Sequence, residues 1–130
     1  MASIFTKIVN GEIPCYKIAE NENFFAFLDI NPLAEGHVLV IPKKEVDYIF
    51  NLDDDLYVGL WSFANRMAKA VYKAIPCKRV GVAVIGLEVP HAHVHLVPLN
   101  VMNDINFSRP KLNPTQDELA DVASRIKAAL

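Results

Sequence analysis

The sequence predicts a single α+β domain, spanning residues 1–130, with an antiparallel sheet at its centre. Three observations predict this fold class. The N-terminal third is rich in aromatic and β-branched residues, a long run at helical spacing follows, and two further strand-like segments come after that run. With 130 residues, 52% of them hydrophobic, the chain has enough apolar side chains to form one core.

Strands are predicted around residues 16–18, 24–28 and 37–41, where aromatic and β-branched side chains concentrate. The residues that separate these segments favour turns and are Asn21, Asn31, Pro32 and Gly36. Short strands joined by tight turns indicate a meandering antiparallel sheet.

A helix is predicted to follow residues 51–55, which supply an N-cap and negative charge for its first turn. Pro76 ends it. The apolar positions that recur at helical spacing are Leu56, Leu60, Phe63, Met67, Val71 and Ala74.

Residues 79–85 are predicted to form a strand buried on both faces, and residues 91–99 the last strand. The short connection over residues 86–90 predicts that the two strands pair as a hairpin. Residues 101–114 contain two prolines and are predicted to be irregular.

A second helix is predicted over residues 115–130. Thr115 and Glu118 have the spacing of a capping box. The apolar stripe Leu119, Val122, Ile126 and Leu130 is expected to pack on the domain or on a second subunit.

Composition argues against several classes of protein. A net charge of -2 does not favour a long nucleic acid as partner but is compatible with a small phosphorylated ligand. We find no secretory leader and no apolar stretch of membrane-spanning length, so we expect no membrane association and a cytoplasmic location. Cys15 and Cys77 form no CxxC pair and are expected to be reduced.

Three of the four histidines alternate as His91, His93 and His95. Alternate side chains of a strand share a face, so the imidazoles are expected in a row while the intervening Ala92, Val94 and Leu96 enter the core. A neutral imidazole at the centre, His93, can attack phosphorus while its neighbours stabilise phosphate charge. We expect a carbonyl of the adjoining strand to hold the second nitrogen of His93.

Two other interpretations stay open at this point. Histidines on one strand face also bind transition metals, with His37 or Glu88 as the additional ligand. Three histidines merely buried in a core would each need a polar partner, which makes that alternative unfavourable.

The chain resembles the histidine triad (HIT) family. The segments that carry the resemblance are IFTKIVNGEIP, FFAFLDINPLAEGHVLVIPKK and HAHVHLVP, which together cover roughly residues 4–99. The resemblance implies a five-stranded antiparallel sheet, a long central helix, a family-like core over residues 4–108, a helical extension over 115–130 and a homodimer. It also implies hydrolysis of a purine nucleoside phosphate derivative, at a phosphoramidate, phosphoanhydride or phosphoester bond, without metal or cofactor.

Residue roles follow from the same resemblance. His93 matches the nucleophile that becomes nucleotidylated, His95 matches the ring on the phosphate and leaving-group side, and His91 and His37 match a supporting pair. Asp29 matches the carboxylate that binds the ribose hydroxyls, as a two-oxygen acceptor can. The residues that match the walls around the base are Ile13, Phe27, Leu28 and Ile30. Because the transferase branch has glutamine in the third position, His95 favours hydrolysis.

The chain departs from the family pattern in two places. The loop before the triad lacks the usual polar phosphate-binding residues and reads Ile85, Gly86, Leu87, Glu88, Val89 and Pro90. Its backbone N–H groups, from Gly86 to Val89, are still able to bind an anion, although the Glu88 charge would oppose one. Ser3, Thr6 and Glu45 occupy positions where other members have zinc ligands, so we expect no structural zinc.

The leading hypothesis is therefore a cytoplasmic nucleotide hydrolase that acts through His93. A nucleotide-binding regulatory module with little turnover is the second, because the phosphate loop is altered. A histidine-ligated metal-binding protein is the third.

Overall fold

The computed structural model describes residues 2–130 and confirms the α+β class, with one five-stranded antiparallel sheet. Its strand order is β1-β2-β3-β5-β4. The elements are α1 (Ile4–Val9), β1 (Lys17–Glu20), β2 (Phe24–Leu28), β3 (Val38–Pro42), α2 (Asp54–Ala74), β4 (Arg79–Ala83), β5 (Val94–Leu99) and α3 (Gln116–Ala128). Single 3-10 turns lie at Ile49–Asn51 and Met102–Ile105. Within residues 2–130, the helices are too short or too polar to cross a bilayer.

The sheet lies between two apolar layers because alternate residues of β2 and β3 point to opposite faces. On one face, Ala26 and Val40 join the main core under α2 and α3. On the other, Phe25, Phe27 and Leu39 form a smaller cluster that Phe5 of α1 covers. All five residues of β2 and all five of β3 are buried, so these central strands fix the positions of whatever follows them.

The predicted helix caps are confirmed. The Asp53 carboxylate accepts a hydrogen bond from the Leu56 N–H at 2.9 Å, and α2 ends two residues before Pro76. Thr115 and Glu118 form the reciprocal capping box of α3. Leu130 was expected in the apolar stripe of α3, but it is 58% exposed because the helix ends at Ala128.

Helix α1 corrects the strand-like interpretation of the N-terminal third. Its N-cap is Ser3, whose hydroxyl accepts from the Thr6 N–H at 3.1 Å. With six residues, α1 is too short to show a helical period, and its isoleucine, phenylalanine and valine side chains are equally typical of strands.

The β4–β5 hairpin is confirmed, but two predicted details of it are wrong. Strand β4 is not buried on both faces, and Val82 is 49% exposed, because β4 is an edge strand that pairs with β5 alone within the described sheet. Strand β5 begins at Val94 and not at residue 91, since its pairing with β3 begins there, with Val94 opposite Val40.

The turn between β2 and β3 brings Asp29 next to His37. The Asp29 N–H donates to the His37 carbonyl at 3.1 Å, and the His37 N–H donates to the Ala34 carbonyl at 3.1 Å. Gly36 has a φ of +93°, and a Cβ on it would lie 2.7 Å from the Ile75 Cγ1, so only glycine fits immediately before His37.

Candidate active site

The four histidines converge on the sheet face that α1 covers. Ala92, Val94 and Leu96 belong to the opposite core, which confirms the predicted alternation. Only His95 lies within β5, however, and the prediction that all three imidazoles stand on one strand is wrong. His91 and His93 precede the ladder because the Ala92 N–H bonds to the Val46 carbonyl, at 2.8 Å, outside the sheet.

All four rings are buried: the exposed fraction is 1% for His37, 0% for His91, 7% for His93 and 8% for His95. Buried imidazoles require hydrogen-bond partners, and each ring has one. Because a backbone carbonyl only accepts and a backbone N–H only donates, these partners determine where each ring carries its proton.

His93 carries its proton on Nδ1. That nitrogen lies 2.8 Å from the carbonyl oxygen of His91 and must donate to it. We expected the acceptor to be a carbonyl of the adjoining strand. It is instead the His91 carbonyl, which lies two residues earlier in the same segment and outside the strand ladder. The His93 Nε2 has no partner within residues 2–130 and keeps its lone pair, which is what a nucleophile requires.

His37 and His95 form a directed pair. The Leu33 N–H donates to the His37 Nδ1 at 3.0 Å, so His37 is protonated on Nε2. That Nε2–H donates to the His95 Nδ1 at 2.9 Å. A neutral His95 then carries its proton on Nε2 and presents a donor beside the His93 lone pair, with the two ring centroids 4.9 Å apart.

His91 supports the site from the other side. Its Nε2–H donates to the Pro42 carbonyl at 2.7 Å, so its Nδ1 accepts from the Ser3 hydroxyl at 2.8 Å. Glu45 accepts from the Ser3 N–H and from the Thr6 hydroxyl, both at 2.6 Å. The two supporting histidines thus act separately: His37 holds the His95 ring, and the His91 carbonyl holds the His93 ring.

Ser3, Thr6, Glu45 and His91 do not fit the zinc site found at these positions elsewhere in the family. The His91 Nδ1 lone pair is already satisfied by a hydroxyl proton, and serine and threonine hydroxyls replace the soft thiolates that zinc prefers. Hydrogen bonds hold the four residues together instead.

Burial favours the neutral form of His37, His91 and His95. It lowers the pKa of His37 to about 3 and the pKa of His95 to about 4, with neighbouring histidines adding to both shifts, and it also lowers the pKa of His91. Both members of the His37–His95 pair are therefore uncharged near neutral pH, as their single shared proton requires.

Asp29 lies at the edge of this site. Its Oδ1 accepts from the Asn31 N–H at 2.9 Å, and its Oδ2 lies 3.7 Å from the His37 Nε2. Burial raises the pKa of the Asp29 carboxyl, which the Asn31 hydrogen bond opposes. One carboxylate oxygen thus stays accessible to an incoming hydroxyl donor, since the Asp29 side chain is 23% exposed.

The predicted base walls are divided between the two sheet faces. Phe27 joins the cluster around Phe5 on the histidine side, whereas Leu28 enters the core under the helices and lines a cavity of about 380 Å³ beside Asp29. Ile13 is half-buried, and Ile30 is 56% exposed. The structure therefore does not bring the Phe27 and Leu28 side chains onto one wall.

The loop before the triad presents backbone donors. Gly86 has a φ of +74°, Leu87 and Glu88 are exposed, and Val89 packs against the cluster around Phe5. Within residues 2–130, the N–H groups of residues 86–89 have no acceptor, and Glu88 has no ion-pair partner. These amides are therefore free to donate to a ligand.

Two aromatic rings that the sequence analysis missed shape the site. Phe5 packs edge-on against His93, with ring centroids 5.0 Å apart, and against Phe27 at 5.5 Å. Phe107 packs edge-on against His95 at 4.7 Å. Phe5 lies in the IFTKIVNGEIP segment but had no role assigned to it, Phe107 stands in no motif, and both reach the histidines through tertiary contacts.

The geometry weakens the metal-binding interpretation. Ligand atoms of Asp29, His37 and His95 lie within 4.8 Å of one another. Both nitrogens of His37 are already used, one as acceptor from Leu33 and one as donor to His95. A metal on this trio would have to displace the shared proton and the Leu33 hydrogen bond.

The Ser3–His91 hydrogen bond yields a stability prediction. Ser3→Ala removes both an N-cap and the nearer hydroxyl donor to a buried imidazole nitrogen, at 2.8 Å, and is expected to lower the free energy of unfolding by about 2–3 kcal/mol. Thr115→Ala removes a cap alone, and is expected to cost about 1 kcal/mol. Urea denaturation of both variants checks this, and equal losses would contradict the role assigned to the His91 bond.

The fold and site define a class of small α+β proteins in which an antiparallel sheet presents tautomer-locked, uncharged histidines beside a carboxylate. The model of the HIT domain matches residues 10–102, and the chain therefore belongs to the HIT family. A HIT-like protein of Borreliella burgdorferi is 34% identical over 131 residues, covering 95% of this chain and 94% of that protein.

Two further similarities bear on function and fold. An adenosine 5′-monophosphoramidase of Saccharomyces cerevisiae is 38% identical over 101 residues, covering 75% of this chain and 62% of that protein, so the match spans less than two thirds of its length. The crystal structure of a HIT-like protein from Bartonella henselae, described as involved in cell-cycle regulation, superposes with a TM-score of 0.86 at 30% identity. It covers 98% of this chain and 96% of that one.

Proposed function

We propose that this protein hydrolyses a phosphoramidate, phosphoanhydride or phosphoester bond in a purine nucleoside phosphate derivative, through a nucleotidyl-histidine intermediate on His93. The observation that carries the proposal is the free Nε2 lone pair of His93 beside the Nε2–H of His95. The yeast relative named as an adenosine 5′-monophosphoramidase supports this reaction class, as does a second one from Schizosaccharomyces pombe, 35% identical over 102 residues.

In the first step the His93 Nε2 attacks phosphorus, the bond to the leaving group breaks, and its electron pair departs with that group. The Nδ1–H bond to the His91 carbonyl stabilises the charge that develops on the His93 ring. The His95 Nε2–H donates to a phosphate or leaving-group oxygen or nitrogen. Water then attacks phosphorus and loses a proton, which balances the proton that the departing group takes up; the P–N bond breaks, and the nucleoside monophosphate leaves with the electron pair returned to His93.

The remaining roles are assigned by position. Asp29 binds the ribose hydroxyls, because one of its carboxylate oxygens is not taken by Asn31. The base is placed against Phe27, with Ile13, Leu28 and Ile30 nearby. The N–H groups of Gly86, Leu87, Glu88 and Val89 bind phosphate oxygens.

Adenylylation of the protein tests this proposal. Wild-type protein is mixed with adenosine 5′-phosphoramidate and quenched within milliseconds in guanidinium, at neutral pH because P–N bonds are acid-labile. The mass of the intact protein is then measured by mass spectrometry. We expect one added adenylyl group and steady release of AMP. AMP release without an adduct at any quench time would contradict the covalent route.

A regulatory, weakly catalytic nucleotide-binding module is the second candidate. It is favoured by the absence of the family's polar phosphate-binding side chains at positions 85–90. The same experiment separates the two, because a pure binding module retains adenosine nucleotides in calorimetry but releases no AMP. In either case we propose a small nucleotide as partner, neither a long nucleic acid nor a membrane.

We further propose that the chain functions as a single domain in the cytoplasm and as a homodimer. The exposed edge of β4 supports the dimer, since an edge strand leaves backbone N–H and C=O groups free to pair with a second copy. Apolar side chains lie close to that edge and on α2, with Val82 49% and Val58 66% exposed.

A further inference from the structure

A segment that follows the last strand covers the histidine pair. We name residues 107–112 the strap. Phe107 packs its ring at 70° against His95, with centroids 4.7 Å apart, and lies 6.3 Å from the His37 ring. The strap lies beyond the residues that the HIT domain matches, which end at residue 102.

The strap is tied to the turn that holds His37. The Arg109 guanidinium donates to the Leu33 carbonyl and, at 3.4 Å, to the Asp104 carbonyl. The Leu112 N–H donates to the Pro32 carbonyl at 2.9 Å. The contacts of Arg109 and Leu112 therefore hold the strap against this turn.

Lys111 is the cation that the strap brings to the site. Its Nζ lies 5.9 Å from the centroid of the Phe107 ring, and it donates to the carbonyls of Phe107 at 2.6 Å and Arg109 at 3.3 Å. An ammonium has three N–H donors, and the third has no acceptor among the residues that the structure describes. After burial and the neighbouring histidine, the Lys111 charge also lowers the pKa of His37 and of His95, so it acts on the pair.

The strap borders the side of the site away from the nucleophile. His95 stands between the two, with its ring 4.9 Å from His93 and 4.7 Å from Phe107. A leaving group departs from phosphorus on the side opposite the attacking atom. It therefore leaves past His95 towards Phe107 and Lys111.

We propose that Lys111 binds a negatively charged leaving group, so that the protein prefers nucleoside phosphate derivatives whose departing group carries a carboxylate or a second phosphoryl group. This inference rests on the proposed function.

A matched pair of substrates tests it. The phosphoramidates that AMP forms with β-alanine and with β-alaninamide share the same reacting bond but differ in one carboxylate. Lys111→Gln is expected to lower kcat/KM for the β-alanine compound about five- to tenfold and for the amide less than twofold. Lys111→Arg keeps the charge and should retain most of the preference, and Lys69→Gln, an exposed lysine on α2, serves as the charge-matched control.

The outcomes separate the two proposals. Equal losses on both substrates would mean that Lys111 only holds the strap, and would overturn its role in selection. If wild-type protein hydrolyses neither compound, the phosphoramidate part of the proposed function fails. Calorimetry with the same pair then decides the Lys111 inference, which requires tighter binding of the carboxylate in wild-type protein and loss of that difference in Lys111→Gln.

Discussion

Replacing His93 by alanine is expected to lower the rate of nucleotide hydrolysis by at least about 10³-fold and to abolish adenylylation of the protein. The His93 Nε2 carries the imidazole lone pair that accepts no hydrogen bond within residues 2–130. The Nδ1 of His95 accepts from His37, and both nitrogens of His91 and His37 are bonded. No neighbouring ring can therefore replace His93 without losing an existing bond. Initial rates with adenosine 5′-phosphoramidate measure the effect.

A conservative variant separates chemistry from folding. In His93→Asn, the side-chain amide can still donate to the His91 carbonyl from nearly the position of Nδ1, but it has no nucleophilic nitrogen. We expect this variant to unfold at a urea concentration close to that of the wild type and to be as inactive as the alanine variant. Wild-type turnover in either variant would refute the assignment of His93.

Lowering the pH from 7 to 5 is expected to reduce the free energy of unfolding by about 4 kcal/mol through His37 and His95 together. Their pKa values in the folded protein, about 3 for His37 and about 4 for His95, lie below the ordinary value of 6.5. In this pH range the unfolded chain binds protons that the folded protein does not. Stability is thus complete above pH 6.5 and is lost as the pH falls from there towards the folded-state values.

Urea denaturation at intervals between pH 5 and 8 measures this dependence. The carboxylates of Glu20 and Glu45, whose pKa values hydrogen bonds lower to about 2, affect stability only below about pH 4.5. The raised pKa of Asp29 acts in the opposite direction to the histidines, so a loss of stability between pH 7 and pH 5 comes from the histidines. Imidazole NMR titration provides an independent readout, in which His37 and His95 are expected to remain neutral down to pH 5. A stability that stays constant from pH 7 to pH 5 would contradict the buried neutral pair.

The elements that the sequence predicts correctly are those whose signals are local. Asp53, Thr115 and Glu118 cap their helices through residues three positions away, so a single short window contains the whole signal. The exposure of β4 follows from its place at the edge of the sheet, which depends on how distant strands pair. The sequence around residues 79–85 does not show whether this strand lies at the edge of the sheet, and its alternating valines are compatible with burial.

In the candidate site, too, the sequence predicts the features with a local signal and not those that depend on distant contacts. The alternation of His91, His93 and His95 is visible in the sequence, and so is the side of the chain that enters the core. The proton positions are not, because they depend on the Leu33 N–H and on a His37–His95 contact between residues 58 positions apart. Phe107 and Lys111 carry no recognisable pattern, and only folding brings them to the histidines.

Leu33 connects the histidine site to the strap. Its N–H sets the proton position on His37, within the part shared with the family, and its carbonyl receives Arg109 from the region beyond it. A substitution or insertion that moves this residue therefore disturbs an imidazole and the opposite wall at once. Selectivity and reactivity are therefore expected to change together in variants that shift the Leu33 backbone.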